Sequence, residues 1–137
     1  MEEEVHTPVF APSILVVDDD PAVRQLFARL LTNAGYIVHE VSNGVEAKAA
    51  LSNVTFNLMI LDLNMPEMDG FEVLVFARSA VPNLKTIVAS GFMQGTMLVA
   101  ARQLGAIAAL DKPVDVDLLL STVRSALGVD LKIETAS

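Results

Sequence analysis

Five short apolar runs punctuate the chain, each running into a polar residue or a turn, and amphipathic segments of helical period lie between them. Ile14-Leu15-Val16-Val17 is continuously apolar, as in a strand covered on both faces, and it leads into Asp18-Asp19-Asp20. Val23, Leu26, Phe27, Leu30 and Leu31 then recur with a helical period, which predicts a helix with one buried stripe. Asp20 before Pro21 suits its N-cap and first position, and Gly35 its C-terminal cap. A second strand, Tyr36 to Val41, carries His39 and Glu40 and is polar enough for a sheet edge. Asn43-Gly44 turns the chain into a short Ala-rich helix, Val45 to Leu51.

Leu58 to Leu61 forms the third run and enters Asp62, followed by turn chemistry from Asn64 to Gly70 with Pro66 and Asp69-Gly70 as breakers. Phe71 to Ser79 reads as the third helix. Thr86 to Ala89 is the fourth strand and enters Ser90; Thr96 to Leu104 is the fourth helix, ended by Gly105. Ile107 to Leu110 is the fifth strand, with Lys112-Pro113 just beyond it. Val116, Leu119, Leu120, Val123 and Leu127 mark one face of a last helix that Gly128 stops.

Repeated strand-helix-strand units of this length require right-handed crossovers, hence a parallel sheet with helices on both faces. The expected fold is a flavodoxin-like, doubly wound α/β domain with a five-stranded sheet in the order 2-1-3-4-5, which makes the polar second strand an edge. Strands one and three then lie side by side at the switch point, where such folds bind ligands. Asp18 to Asp20, Asp62, Ser90 and Lys112 all gather at the carboxyl-end edge.

At 137 residues the chain fits one domain, expected over residues 13–128, with a flexible lead-in over 1–12 and a tail over 129–137. No apolar run approaches the roughly 20 residues that cross a bilayer, so no membrane association is expected. The acidic Met1-Glu2-Glu3-Glu4 start is unlike a secretory signal, which makes the cytoplasm the default. A formal net charge of −8 argues against direct nucleic acid binding, and the absence of cysteine excludes disulfides and thiolate chemistry. His6 falls in the lead-in and His39 on the edge strand, where an exposed structural role is expected.

Gathered carboxylates need a neutralising partner, because two charges about 4 Å apart repel by roughly 4 kcal/mol at an effective dielectric near 20. Oxygen donors without His or Cys suit Mg²⁺. Plainer readings stand beside this one. Asp20 is better explained as a helix cap than as a ligand, Asp18 and Asp19 serve equally well as loop acids at a strand end, Asp62 alone is an ordinary turn residue, Ser90 alone satisfies a local backbone group, and Lys112 alone is simply exposed before a proline. Only their joint pattern favours a site.

Ile14-Leu15-Val16-Val17-Asp18-Asp19-Asp20, Leu61-Asp62-Leu63-Asn64-Met65-Pro66-Glu67-Met68-Asp69-Gly70, Ala89-Ser90-Gly91 and Asp111-Lys112-Pro113 resemble the four blocks of the response regulator receiver domain. They fall in order across about residues 13 to 127. The resemblance implies a phospho-acceptor of two-component or phosphorelay signalling, not an enzyme with a separate substrate. Asp62 would take a phosphoryl group from a phosphohistidine of a sensor histidine kinase or histidine phosphotransfer protein. Asp18 and Asp19, with Asp62 and the backbone carbonyl of Asn64, would hold Mg²⁺; Lys112 and Ser90 would bind phosphoryl oxygens; and the peptide before Pro113 would be cis. The loop from Gly91 to Gly95 and the helix after it would respond to phosphorylation.

Two positions depart from the family pattern. Ala109 stands where many receivers carry an aromatic residue coupled to the switch hydroxyl, so the signal must travel by backbone and helix shifts or through another residue. Phe92 stands where some relatives orient the hydrolytic water, which implies slow self-dephosphorylation. The nine residues after Gly128 are too few for an output module, so the chain acts by binding a downstream protein partner or as a homodimer, or is one receiver of a longer protein. In relatives, partners meet the face of helix four, strand five and helix five, or helix one. The apolar third helix is expected to pack mainly into the core. Three Asp after strand one disfavour a flavin carrier, and Asn64 disfavours a haloacid-dehalogenase-like phosphatase. A receiver-fold scaffold that binds partners without phosphorylation is the remaining rival.

Overall fold

The computed structural model describes residues 11–66, 70–91 and 95–128. His6 and the lead-in before Ala11, Glu67-Met68-Asp69 of the turn, Phe92 with the middle of its loop, and the tail beyond Gly128 lie outside them. Within the described residues the strands are β1 (Ser13–Val17), β2 (Ile37–Val41), β3 (Leu58–Asp62), β4 (Lys85–Ser90) and β5 (Ala106–Asp111). They alternate with α1 (Pro21–Asn33), α2 (Gly44–Asn53), α3 (Gly70–Ala80), α4 (Gly95–Gln103) and α5 (Val116–Leu127). Every strand pair is parallel and the order is β2-β1-β3-β4-β5, as expected, with the polar β2 at one edge.

Because β1 and β3 are buried on both faces, their apolar runs are continuous, yet alternate residues still part to opposite sides. Leu15, Val17, Met59, Leu61 and Val88 pack with Ala47 and Leu51 of α2, Val73, Leu74 and Ala77 of α3, and Ala101 of α4. Ile14, Val16, Leu58, Ile60 and Ile87 pack with Phe27 and Leu31 of α1 and Leu119 and Val123 of α5. Each face of the sheet thus has its own core. Pairing reaches one residue before β1, since Ile37 N–H donates to the Pro12 carbonyl at 3.0 Å.

Two helix faces differ from the sequence pattern. In α1 the buried residues are Phe27, Ala28 and Leu31, whereas Leu26 is 43% exposed. Each helical residue lies about 100° around the axis from the last, so a stripe centred on Phe27, Ala28 and Leu31 turns Leu26 away from the sheet. In α5, Val116 is exposed because it opens the helix ahead of the turn that docks Leu119 and Val123. On α3, Val73 and Leu74 are buried, Phe71 and Phe76 partly so, and Val75 faces out. Asn43 does more than turn the chain. Its side chain caps α2 by accepting from Glu46 N–H at 2.8 Å, while Glu46 Oε1 accepts from Ser42 N–H at 2.9 Å.

Candidate functional site

β1 ends one residue before Asp18, whose N–H still donates to the Val41 carbonyl of β2 at 3.2 Å. Asp18 is therefore buried, and Asp19 is exposed as the chain leaves the sheet. Asp20 turns away to cap α1, its carboxylate accepting from Ala22 N–H at 3.0 Å. Asp62 is the last residue of the neighbouring β3 and is likewise buried. Parallel pairing of β1 with β3 brings these ends together, and one carboxylate oxygen from each of Asp18, Asp19 and Asp62 lies within 4.8 Å of the others.

Lys112, just beyond β5, reaches back into this group. Its ammonium is 2.6 Å from Asp18 Oδ2 and 3.5 Å from Asp62 Oδ2. Asp18 Oδ1 accepts from Asp20 N–H at 2.9 Å, and Asp62 Oδ1 from Asn64 N–H at 3.0 Å. The Asn64 side-chain amide donates to the hydroxyl of Ser90, which ends β4 and is fully buried. The Ser90 carbonyl accepts from Lys112 N–H at 2.9 Å, and the Lys112–Pro113 peptide is cis. Asp18, Asp19, Asp62, Asn64, Ser90 and Lys112 thus share one rim, while Asp20 stands apart as a cap.

Burial pushes the Asp62 carboxyl above its ordinary value of 3.8, and the charges of Asp18 and Asp19 push the same way, against the pull of Asn64 N–H and Lys112. For Lys112, burial acts downward, but the hydrogen bond and charge of Asp18, with the charge of Asp62, outweigh it and hold the ammonium above 10.5. The site is short of positive charge, with three acids around one ammonium. All-oxygen anionic donors at this spacing fit a hard divalent cation.

Two residues outside the sequence-derived set also shape the rim. Arg24 Nη1 donates to the Asp18 carbonyl at 3.0 Å, and its Nε pairs with Glu40 at 3.2 Å. Gly70 N–H donates to the Leu63 carbonyl at 3.2 Å, and a Cβ there would fall 2.4 Å from the Asp62 carbonyl oxygen. The cation at the first turn of the first helix was the available signal for Arg24; Gly70 carried only a generic turn signature.

Residues 14–124 match the family model of the response regulator receiver domain. The chain belongs to this family. This receiver is 35% identical over 114 residues to Transcriptional regulatory protein GlrR of Escherichia coli K12, covering 83% of the chain but 26% of that protein. It is 29% identical to Sporulation initiation phosphotransferase F of Bacillus subtilis over 83% of the chain and 92% of that protein. Among solved structures, a response regulator receiver domain protein (CheY-like) from Methanospirillum hungatei JF-1 superimposes with a TM-score of 0.84 at 32% identity, covering 87% of this chain and 95% of the other. The receiver therefore spans about a quarter of GlrR and nearly all of the phosphotransferase. No helix among the described residues is long and apolar enough to cross a membrane.

Proposed function

We propose that this receiver accepts a phosphoryl group on Asp62 from a phosphohistidine of a sensor histidine kinase or histidine phosphotransfer protein. Acceptance then switches binding to a downstream protein or to a second copy. The observation that carries this proposal is the meeting of Asp62 with Asp18, Asp19 and the Lys112 ammonium at the ends of three separate strands. The Bacillus relative is named a phosphotransferase, which points the same way. The domain is proposed to span residues 13–128 and to work in the cytoplasm, catalysing only its own phosphoryl transfer and slow self-dephosphorylation.

An oxygen of the Asp62 carboxylate attacks phosphorus as the P–N bond breaks. The donor imidazole keeps the bonding pair and departs neutral when its other nitrogen is protonated. A carboxylate is a weak nucleophile, so alignment and charge neutralisation must supply most of the acceleration. Asn64 N–H fixes Asp62 Oδ1, which leaves Oδ2 on the side of Lys112. Asp18, Asp19, Asp62 and the Asn64 carbonyl are the proposed Mg²⁺ holders, and the bound cation would offset the negative charge of carboxylates and phosphoryl oxygens. Lys112 shifts from Asp18 to a phosphoryl oxygen, and the Ser90 hydroxyl donates to another. Ala109, partly buried against the α2–α4 core, cannot act as an aromatic relay, so the change passes through backbone and helix shifts after β4.

Intact mass after incubation with Mg²⁺ and a small-molecule phosphodonor tests this directly. The wild type should gain one phosphoryl group and Asp62→Asn none. A wild type that binds Mg²⁺ without gaining mass would support the scaffold reading, and equal gain by the variant would move the acceptor elsewhere.

A further inference from the structure

Phosphoryl transfer as described leaves Arg24 without a task, yet this residue touches the main chain between the two metal-side acids. Its backbone N–H donates to the Asp20 carbonyl at 2.9 Å, which seats it on the first turn of α1. From there Nη1 reaches the Asp18 carbonyl at 3.0 Å, and Nε meets Glu40 Oε1 of the edge strand at 3.2 Å. The side chain is only 16% exposed. One guanidinium therefore ties α1, the end of β1 and β2 together.

The Asp18 carbonyl lies in the rigid peptide plane that joins Asp18 to Asp19. Rotating that plane changes ψ of Asp18 and φ of Asp19, and so redirects both carboxylates. The other polar atoms of Asp18 are held by Val41, Asp20 and Lys112. We propose that Arg24 is a positioning residue that fixes the Asp18–Asp19 peptide plane, so that both acids face the cation, and that Glu40 orients its guanidinium. This rests on the Mg²⁺ assignment above. Arg24 itself touches no reacting atom. Lysine would not substitute fully, because an ammonium is a point donor and cannot span the carbonyl and Glu40 with the fixed angle of a guanidinium fork.

The direction of the effect separates positioning from simple electrostatics. A cation beside a cation site repels Mg²⁺, so if charge alone mattered, its removal would tighten binding. Positioning predicts weaker binding. Titration calorimetry with Mg²⁺ alone should show R24A weakened by about tenfold, the usual order for residues that orient metal ligands. R24K should fall between R24A and wild type. Glu40→Ala keeps Arg24 and should weaken binding by at least about twofold, while R24A/E40A should match R24A, since partners in one network do not add. Thermal melts establish that each variant is folded. Should R24A not fold, R24K decides, because it keeps the charge: binding weaker than wild type supports positioning, and unchanged binding overturns it. Unchanged or tighter binding in folded R24A, or full additivity with Glu40→Ala, would overturn the positioning role alone. A wild type that takes up no Mg²⁺ would overturn the metal assignment and this role with it.

Discussion

Asp62 must be close enough to its neighbours to react and yet remain a carboxylate in a buried, acid-rich place. Its position depends on a residue that bears no charge. Gly70 opens α3 directly against the end of β3, where an added Cβ would stand 2.4 Å from the Asp62 carbonyl oxygen and 2.4 Å from Leu63 Cα. Both atoms are backbone, so no side chain can swing aside. Gly70→Ala must displace either α3 or the strand end that carries Asp62, and overpacking of this kind costs about 1–3 kcal/mol. Urea denaturation should show a loss in that range together with slower phosphorylation; full stability with normal phosphorylation would mean the helix shifts freely. Asp18, Asp19, Asp62, Ser90 and Lys112 could be picked out in the sequence because each stands at or within two residues of the end of an apolar run. Gly70 and Arg24 could not be assigned roles there, because both act on backbone atoms that only folding brings near.

Helix caps carry a second layer of specification. Around α2, the Asn43 side chain accepts from Glu46 N–H, the Glu46 carboxylate accepts from Ser42 N–H, and the Ser42 hydroxyl adds a third bond to Glu46 at 3.0 Å. The bond from the Ser42 backbone, then that from its hydroxyl, holds the Glu46 carboxyl below its ordinary 4.5. A carboxyl depressed in the folded state stabilises the protein above its unfolded value, and that stability is lost as pH falls through the folded one. Glu46→Gln keeps the acceptor but cannot titrate. Its stability deficit should be present at about pH 7 and shrink by about pH 3, as read from urea midpoints; a deficit equal at both pH values would remove the charge from the account. Strand runs and helix existence were plain from the pattern, since burial on both faces writes itself as unbroken apolar sequence. Helix orientation was less so. Leu26 fits the period of α1 but lies off the buried stripe, and Asp115, which caps α5 by accepting from Leu118 N–H at 3.0 Å, resembles any loop acid in the sequence.

The assembled molecule sets a stable sheet against a strained rim. Parallel strands flanked by two cores must all end at the same edge, so the acids of β1 and β3 are forced together whether or not a cation is present. The strand order was readable because only β2 is polar enough for an edge; the route of the signal was not, because Ala109 reveals only the lack of an aromatic relay. The strain itself is measurable. Asp62 has its carboxyl raised above 3.8, chiefly by burial, so it takes up a proton more readily in the folded state than in the unfolded chain. Stability from such a group is present below the unfolded value and lost as pH rises through the folded one, so the metal-free protein carries the penalty at neutral pH. Asp62→Asn removes that charge while Lys112 keeps its shorter contact, 2.6 Å, with Asp18. In chelator at neutral pH the variant should therefore melt above the wild type, and its advantage should fade in acid. Added Mg²⁺ should raise the wild type more than the variant, because a ligand stabilises a fold in proportion to its affinity for it. A variant less stable than the wild type without metal would mean that the Lys112–Asp62 contact at 3.5 Å outweighs the burial of the carboxylate, and that the rim is held together by its charges and not strained by them.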